Sequence, residues 1–343
     1  MTGNPPRRRI NRRTLKHIAR WLVALAFIAV LVHQVDWGDV SRHLLHADRT
    51  GLVLGLLMLG LSRFVKAARS YPLMRVQTTE LPFWVCLRTY LASGSAAYVL
   101  PTGFGGDLLR AVALGRRRGL VPEVTASIAM ERVLSGVAMV MANLLAALYA
   151  LGGREPGRFA LASVALAAIG VAALLVPLNQ RVRDWIRRRL ARFAGSRWAQ
   201  ALGRFGNAYH AYRHRPGVLV LVFLLSLAET LLVVFSMAFL AVATGTGITV
   251  GMLLVVVPLT LVLHRLPITY WGIGVVEGGF AFLLNALYLI PPSHALTVAA
   301  AYRLAELCAN IPGALLWRDL AGSREHESTE ASGQARVPLS VRT

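Results

Sequence analysis

The stretch Pro101-Thr-Gly-Phe-Gly-Gly-Asp107 lies in the middle of an otherwise apolar region, residues 82–114. A second apolar region, 250–290, is interrupted in the same way by Pro267-Ile-Thr-Tyr-Trp-Gly-Ile-Gly274. Glycine and proline end helices, and irregular backbone at membrane depth is tolerated only where protein or a water-filled cavity surrounds it. We therefore interpret both regions as re-entrant helical hairpins whose tips lie inside a membrane.

Other apolar segments are long enough to cross a membrane, because a transmembrane helix needs about 20 mostly apolar residues. These segments are 18–34, 51–70, 122–151, 158–178, 217–243 and 294–317. The composition agrees, since 56% of the 343 residues are hydrophobic and only 15% are charged, whereas soluble domains carry roughly a quarter charged residues. The sequence predicts an all-α integral membrane protein with six full spans, two re-entrant hairpins and an inverted repeat.

The net charge of +21 comes from 37 basic and 16 acidic residues. In a soluble chain this balance would suggest nucleic acid, but here the arginines lie mainly between apolar segments, so we expect no nucleic-acid partner. Basic segments stay in the cytoplasm, and 63–76 and 179–215 are strongly basic. We expect a multi-pass protein of the inner cell membrane with cytoplasmic N- and C-termini. The second hairpin would then enter from outside; entry from inside would place the tail outside and stays an alternative.

The chain divides into five parts. A basic N-terminus, 1–17, precedes the first membrane half, 18–178; the second half is 217–317, and a polar tail, 318–343, is expected to be disordered. Between the halves, 179–216 repeats apolar residues at helical spacing among arginines. This pattern indicates a basic amphipathic helix on the anionic lipids of the cytoplasmic surface, which either fixes topology or gathers those lipids.

Charged residues inside apolar segments are candidates for a functional site, because charge in a membrane is costly. At the first glycine break, Gly105 and Gly106 precede Asp107, and Arg110 follows one helical turn later. The next span carries an adjacent acid and base, Glu131-Arg132.

The second half repeats this arrangement. At its glycine break, Gly272 and Gly274 precede Glu277, and the next span carries Arg303 and Glu306 one helical turn apart. Such an internal repeat is typical of transporters in which broken helices meet near the middle of the membrane.

These groups suit a lipid headgroup. Backbone N–H groups at the start of a broken helix attract phosphate, arginines add bidentate contacts, and acids neutralise the arginines or carry a proton. The same charges could instead pair with one another and only hold the bundle together. Glu229, in the span 217–243, is expected to pair across helices or to titrate. The candidate substrate-binding residues are Gly105, Gly106, Asp107, Arg110, Glu131, Arg132, Arg265, Gly272, Gly274, Glu277, Arg303 and Glu306.

Motifs for catalysis are missing from the sequence. The two cysteines, Cys86 and Cys308, have no metal-like spacing, and there is no Walker loop or nucleophile elbow. We therefore expect no catalytic residue, no metal and no cofactor.

The motif Pro101-x3-Gly105-Gly106-Asp107-x2-Arg110, then Glu131-Arg132, then Pro267-x4-Gly272-x-Gly274-x2-Glu277 resembles the transmembrane-region family of lysylphosphatidylglycerol synthases. The resemblance covers residues 15–318. It implies lipid translocation between leaflets rather than lipid synthesis, because in full-length synthases a separate soluble domain transfers the aminoacyl group. Only 26 residues follow Trp317 here, too few for that domain.

Three functions remain open from the sequence. The first is a flippase for a lipid with a phospholipid-like or glycolipid headgroup. The second is an intramembrane lipid-modifying enzyme, and the third is a non-transporting assembly factor for envelope-lipid biosynthesis. The lipid, the energy source and the oligomeric state are left open.

Overall fold

The structure is a computed structural model that describes residues 36–77, 81–97, 105–115, 119–151, 204, 206–265 and 274–334. In these ranges the chain forms helices and connecting turns and no strand, which confirms the predicted all-α class. The predicted spans 18–34 and 158–178, the tips of both hairpins and most of the segment 179–216 lie outside the described residues.

The helices are named here in chain order. They are α1 (Trp37–Leu45), α2 (Arg49–Gln77), α3 (Phe83–Ala97), α4 (Gly105–Gly115), α5 (Val121–Leu151), α6 (Pro216–Ala243), α7 (Val250–Arg265), α8 (Val275–Tyr288) and α9 (Pro292–Gln334).

Three helices in the described part of the chain are long and apolar enough to cross a membrane. They are Arg49–Gln77, Val121–Leu145 and Pro216–Ala243, where spans were predicted at 51–70, 122–151 and 217–243. At 1.5 Å per residue, the 28 residues of α6 extend about 42 Å, more than the roughly 30 Å of hydrocarbon. Helix α9 covers the predicted span 294–317.

Both glycine-broken regions form pairs of short helices. Helix α3 packs on α4, and α7 packs on α8. The four helices have 15, 11, 16 and 14 residues, so each rises less than about 25 Å and is too short to cross the hydrocarbon alone. These lengths agree with re-entrant hairpins.

Glycine allows close approach inside the first hairpin. A Cβ on Gly106 would lie 2.8 Å from the carbonyl oxygen of Ser93 and 2.9 Å from the Cβ of Ala97. A side chain at this position would therefore separate α4 from α3.

Helices α2 and α6 form the central pair of the bundle, and α5 and α9 pack on both. A Cβ on Gly51 would lie 2.8 Å from that of Ala243, and one on Gly55 would lie 2.8 Å from Leu240. Ser236 donates a hydrogen bond of 2.7 Å to the carbonyl oxygen of Gly55. Small residues thus bring these two backbones together, as in other membrane helix pairs.

Helix α9 extends beyond the predicted span 294–317. It continues through residues 318–334 and ends at Gln334. Extending an existing helix needs no new nucleus, and this stretch contains the helix-favouring residues alanine, glutamate and arginine.

The end of the basic segment packs into the bundle. Tyr209 and Tyr212 are buried against Leu73 of α2 and Ala126 of α5. The helical spacing of the apolar residues predicts contact with a lipid surface. Tyr209 and Tyr212 instead contact other helices of the protein.

Candidate functional site

Eleven charged side chains of the described residues form two chains of ion pairs, which meet at neighbouring turns of helix α2. We call them together the membrane charge network. Its members are Arg63, Lys66, Arg69, Asp107, Arg110, Glu131, Arg132, Glu229, Glu277, Arg303 and Glu306.

Helix α2 supplies the middle of the network. Arg63, Lys66 and Arg69 follow one another at intervals of three residues, so they lie along one face of the helix and cover about 9 Å of its length. Arg63 pairs with Glu306 of α9. Lys66 lies 3.3 Å from Glu229 of α6. The cations of α2 therefore contact acids from other helices.

Glu131 of α5 lies at the centre of the first half of the network. Its two carboxylate oxygens accept hydrogen bonds from Arg69 at 3.2 Å and from Arg110 at 2.8 Å. Arg69 also donates to Glu229 at 3.3 Å and to Ser226 at 3.0 Å. The side chains of Arg69, Arg110 and Glu131 are at most 5% exposed, so each buried charge has an opposite charge beside it, as burial requires.

Asp107 forms the accessible edge of this half. It lies in the first turn of α4, where the positive end of the helix dipole favours a carboxylate. Its oxygens contact Arg110 at 3.5 Å and Arg132 of α5. The side chain of Arg132 is 41% exposed, so this guanidinium can meet a ligand from outside the bundle.

Arg110 has spare donors. Its guanidinium carbon lies 4.6 Å from the ring centroid of Tyr90, a cation–π contact. Its Nε and Nη1 atoms are buried and have no hydrogen-bond acceptor among the described residues. Buried guanidinium donors of this kind are available to a further acceptor.

Glu277 organises the second half of the network. One of its carboxylate oxygens accepts a hydrogen bond of 2.8 Å from the backbone N–H of Gly274 at the start of α8. The other accepts from Arg303, which also donates to Glu306 at 3.0 Å. Gly274 has φ +83°, in the left-handed region that favours glycine. Gly274 therefore permits the turn at the start of α8, and Glu277 links this turn to α9 through Arg303.

The network carries more positive than negative charge. Five carboxylates face six cations among its members, giving a net charge of +1 with every group ionised. An anion bound at the network would bring this sum to zero.

The structure brings most of the predicted site residues together, but in different pairs. Asp107 contacts Arg110, and Arg303 contacts Glu306, as their three-residue spacing predicts. The adjacent acid and base of α5 have different partners: Glu131 holds Arg69 and Arg110, whereas Arg132 holds Asp107. Neighbours on a helix point about 100° apart and do not face each other.

Three network residues were missed by the sequence interpretation. Arg63, Lys66 and Arg69 were assigned to a cytoplasmic basic segment, yet they pair within the bundle. Their spacing on one face of an apolar helix was the available signal. The expectation that Glu229 pairs across helices is confirmed. Gly272 lies outside the described residues, and Arg265 is described only as the last residue of α7.

The fold and the network define a polytopic α-helical membrane protein in which each of two glycine-broken hairpins contributes an acid to ion pairs with arginines of the bundle. The family described as lysylphosphatidylglycerol synthase TM region matches residues 17–313. The chain belongs to this family, as its motifs indicate. No curated protein matches the chain.

Proposed function

We propose that this protein moves a lipid with an anionic headgroup, phospholipid-like or glycolipid, between the leaflets of the inner cell membrane. The observation that supports this function is the membrane charge network, which joins both hairpins through α2 and has one cation more than it has carboxylates. A phosphate group crossing the membrane needs such partners, because an unpaired buried charge is costly.

The accessible arginines suit the entry of a headgroup. Arg132, 41% exposed, is held by Asp107, and Arg303, 22% exposed, is held by Glu277. A phosphate would replace a carboxylate at one of these guanidinium groups and make a bidentate contact with it. Asp107 would then keep its contact with Arg110 at 3.5 Å, so the displaced acid stays paired.

The network is suited to binding rather than bond cleavage. Each of its carboxylates contacts at least one cation, and Glu131 contacts two arginines. Such pairing occupies each carboxylate with a cation, whereas a general acid or base must be free to reach the proton that it transfers. We therefore propose that the protein is a transporter without catalytic activity. We also propose that its basic segment 179–216 contacts anionic lipids at the cytoplasmic surface.

The test measures leaflet exchange of headgroup-labelled lipids in liposomes that contain the purified protein. Wild type is compared with the double variant Asp107→Asn/Glu277→Gln, which removes one charge from each hairpin. Glu123→Gln is the matched control, because Glu123 pairs with Arg204 at 2.7 Å outside the network. We expect exchange with wild type and the control, and at least tenfold slower exchange with the double variant.

Two results would contradict the proposal. One is the absence of exchange with any phospholipid or polyprenyl lipid, with or without a proton gradient. The other is a chemically altered lipid in the mass spectrum of the same liposomes, which would favour a lipid-modifying enzyme.

A further inference from the structure

Three metal-binding side chains meet at the end of the bundle where α1, the turn after α6 and the start of α9 come together. They are Asp39, His43 and His294, and one ligand atom from each lies within 4.8 Å of the others. The Nε2 atoms of His43 and His294 each lie 3.7 Å from a different oxygen of Asp39. This cluster is separate from the membrane charge network and takes no part in the proposed transport.

The opposite nitrogen of each ring is anchored to the backbone. His43 Nδ1 lies 2.7 Å from the carbonyl oxygen of Thr244, and His294 Nδ1 lies 3.1 Å from that of Thr246. A carbonyl oxygen only accepts, so each Nδ1 carries a proton, and the neutral form of each ring has its lone pair on Nε2. Histidines that bind metals are oriented by the same kind of hydrogen bond.

The three ligand atoms face one another without hydrogen bonds between them. A neutral Nε2 and a carboxylate oxygen are both acceptors, and their separation of 3.7 Å exceeds hydrogen-bond length. A cation placed between them would contact all three lone pairs, beside the contact of 3.4 Å that Asp39 Oδ1 already makes with Arg42.

We propose that Asp39, His43 and His294 bind one divalent transition-metal ion of the zinc type. Ligand atoms around a tetrahedral zinc ion at about 2.1 Å lie roughly 3.4 Å apart. Each histidine lies 3.7 Å from a different oxygen of Asp39, and the three ligand atoms lie within 4.8 Å of one another. The widest pair therefore closes by at most about 1.4 Å when the ion binds. Two imidazoles and one carboxylate suit zinc or cobalt better than magnesium or calcium, which prefer oxygen ligands.

The fourth ligand position faces solvent. The side chains of Asp39, His43 and His294 are 23%, 25% and 28% exposed, and they lie beside an open surface pocket lined by His46 and Asp48. Water can complete the coordination from this side.

The bound ion would join parts of the chain that are far apart in sequence. Asp39 and His43 belong to α1, whereas His294 lies in the first turn of α9. A metal at their junction would hold α1 against α9 and would stabilise the folded state, because the unfolded chain does not bring these residues together.

The experiment titrates the full-length protein, in detergent and with its affinity tag removed, with Co²⁺ and follows the visible absorption of tetrahedral cobalt. The variants are His43→Ala, His294→Ala and Asp39→Asn. His46→Ala is the control, since His46 lines the adjacent pocket but bonds the carbonyl oxygen of Arg42 and is not one of the three ligands. Thermal unfolding with and without Zn²⁺ is measured in parallel.

We expect one Co²⁺ per chain, displaced by Zn²⁺, in wild type and His46→Ala. Affinity should fall at least tenfold in each ligand variant, because even residues that only orient a ligand contribute 10- to 100-fold. Zn²⁺ should raise the unfolding temperature of wild type but not of Asp39→Asn. This comparison tests metal binding even if a histidine variant fails to fold. The absence of cobalt absorption in wild type, or equal affinity in His294→Ala, would overturn the proposal.

Discussion

Arg69 and Glu131 form an ion pair of 3.2 Å between α2 and α5 in which neither side chain is more than 5% exposed. Each partner is also held by a second charge: Arg69 contacts Glu229 at 3.3 Å, and Glu131 contacts Arg110 at 2.8 Å. Because Glu229 belongs to α6 and Arg110 to α4, this pair joins the first hairpin to the second membrane half. It is therefore the position where a single substitution should affect the ion pairs of α2, α4, α5 and α6 together.

We predict that Arg69→Gln destabilises the protein by about 3 kcal/mol, the lower end of the cost of breaking a buried pair, because both glutamates keep another cation. Unfolding temperature in detergent measures the loss. Arg75→Gln is the control on the same helix, since Arg75 is exposed and contacts Tyr71; its effect should stay within about 0.5 kcal/mol. Equal stability of the two variants would show that the ion pair does not stabilise the bundle.

A second prediction separates the two contacts of Glu277. Glu277→Gln keeps an oxygen for the backbone N–H of Gly274 but loses the charge beside Arg303, whereas Glu277→Ala loses both. A lost helix cap costs about 1 kcal/mol. We expect Glu277→Ala to be less stable than Glu277→Gln by roughly this amount, and both to slow lipid exchange. The midpoints of thermal unfolding, compared between the two variants, test the difference; identical midpoints would exclude a role for the cap.

The two helix pairs and three of the spans could be predicted from the sequence. Glycine, proline and long apolar runs determine local structure without any contact between distant residues. In a membrane the 28 residues of α6, most of them apolar, satisfy their backbone hydrogen bonds as a helix. The break before Asp107 was equally visible, since Gly105 and Gly106 end one apolar run and begin another helix.

The pairing of charges could not be predicted in the same way. Arg69 and Glu229 are separated by 160 residues, and their contact depends on how α2 and α6 rotate against each other. The rule that basic residues mark the cytoplasm hid Arg63 and Arg69, which form ion pairs inside the bundle.

The cluster of Asp39, His43 and His294 could not be predicted from the sequence for the same reason. Asp39 and His43 are four residues apart on α1, a spacing that places them on one face, yet His294 comes from the start of α9. Only the folded chain brings the third ligand to the other two.

A third prediction concerns the contact between α9 and the first hairpin. A Cβ on Gly313 would lie 2.2 Å from the carbonyl oxygen of Leu91 and 2.3 Å from Oγ of Ser95, so Gly313→Ala must separate α9 from α3. Overpacking of this kind costs about 1–3 kcal/mol. Gly60→Ala in α2 is the control, because a Cβ there meets nothing within 4 Å, and should be neutral or stabilising by up to about 1 kcal/mol. Unfolding midpoints in detergent distinguish the two; a neutral Gly313→Ala would contradict the close contact.

The last prediction concerns Tyr212, whose hydroxyl is buried at the end of the bundle 2.9 Å from the carbonyl oxygen of Leu73 and 2.8 Å from Oγ of Ser127. Tyr212→Phe leaves these groups without the phenol and should cost about 1–3 kcal/mol, whereas Tyr71→Phe, which loses only an exposed contact with Arg75, should cost little.

Burial raises the pKa of Tyr212 from 10.0 to about 12. The stability supplied by the neutral phenol is thus complete below pH 10 and is lost as pH rises towards 12. Unfolding curves from pH 8 to 12 should converge for wild type and Tyr212→Phe at the alkaline end; a constant difference would contradict the buried, neutral phenol.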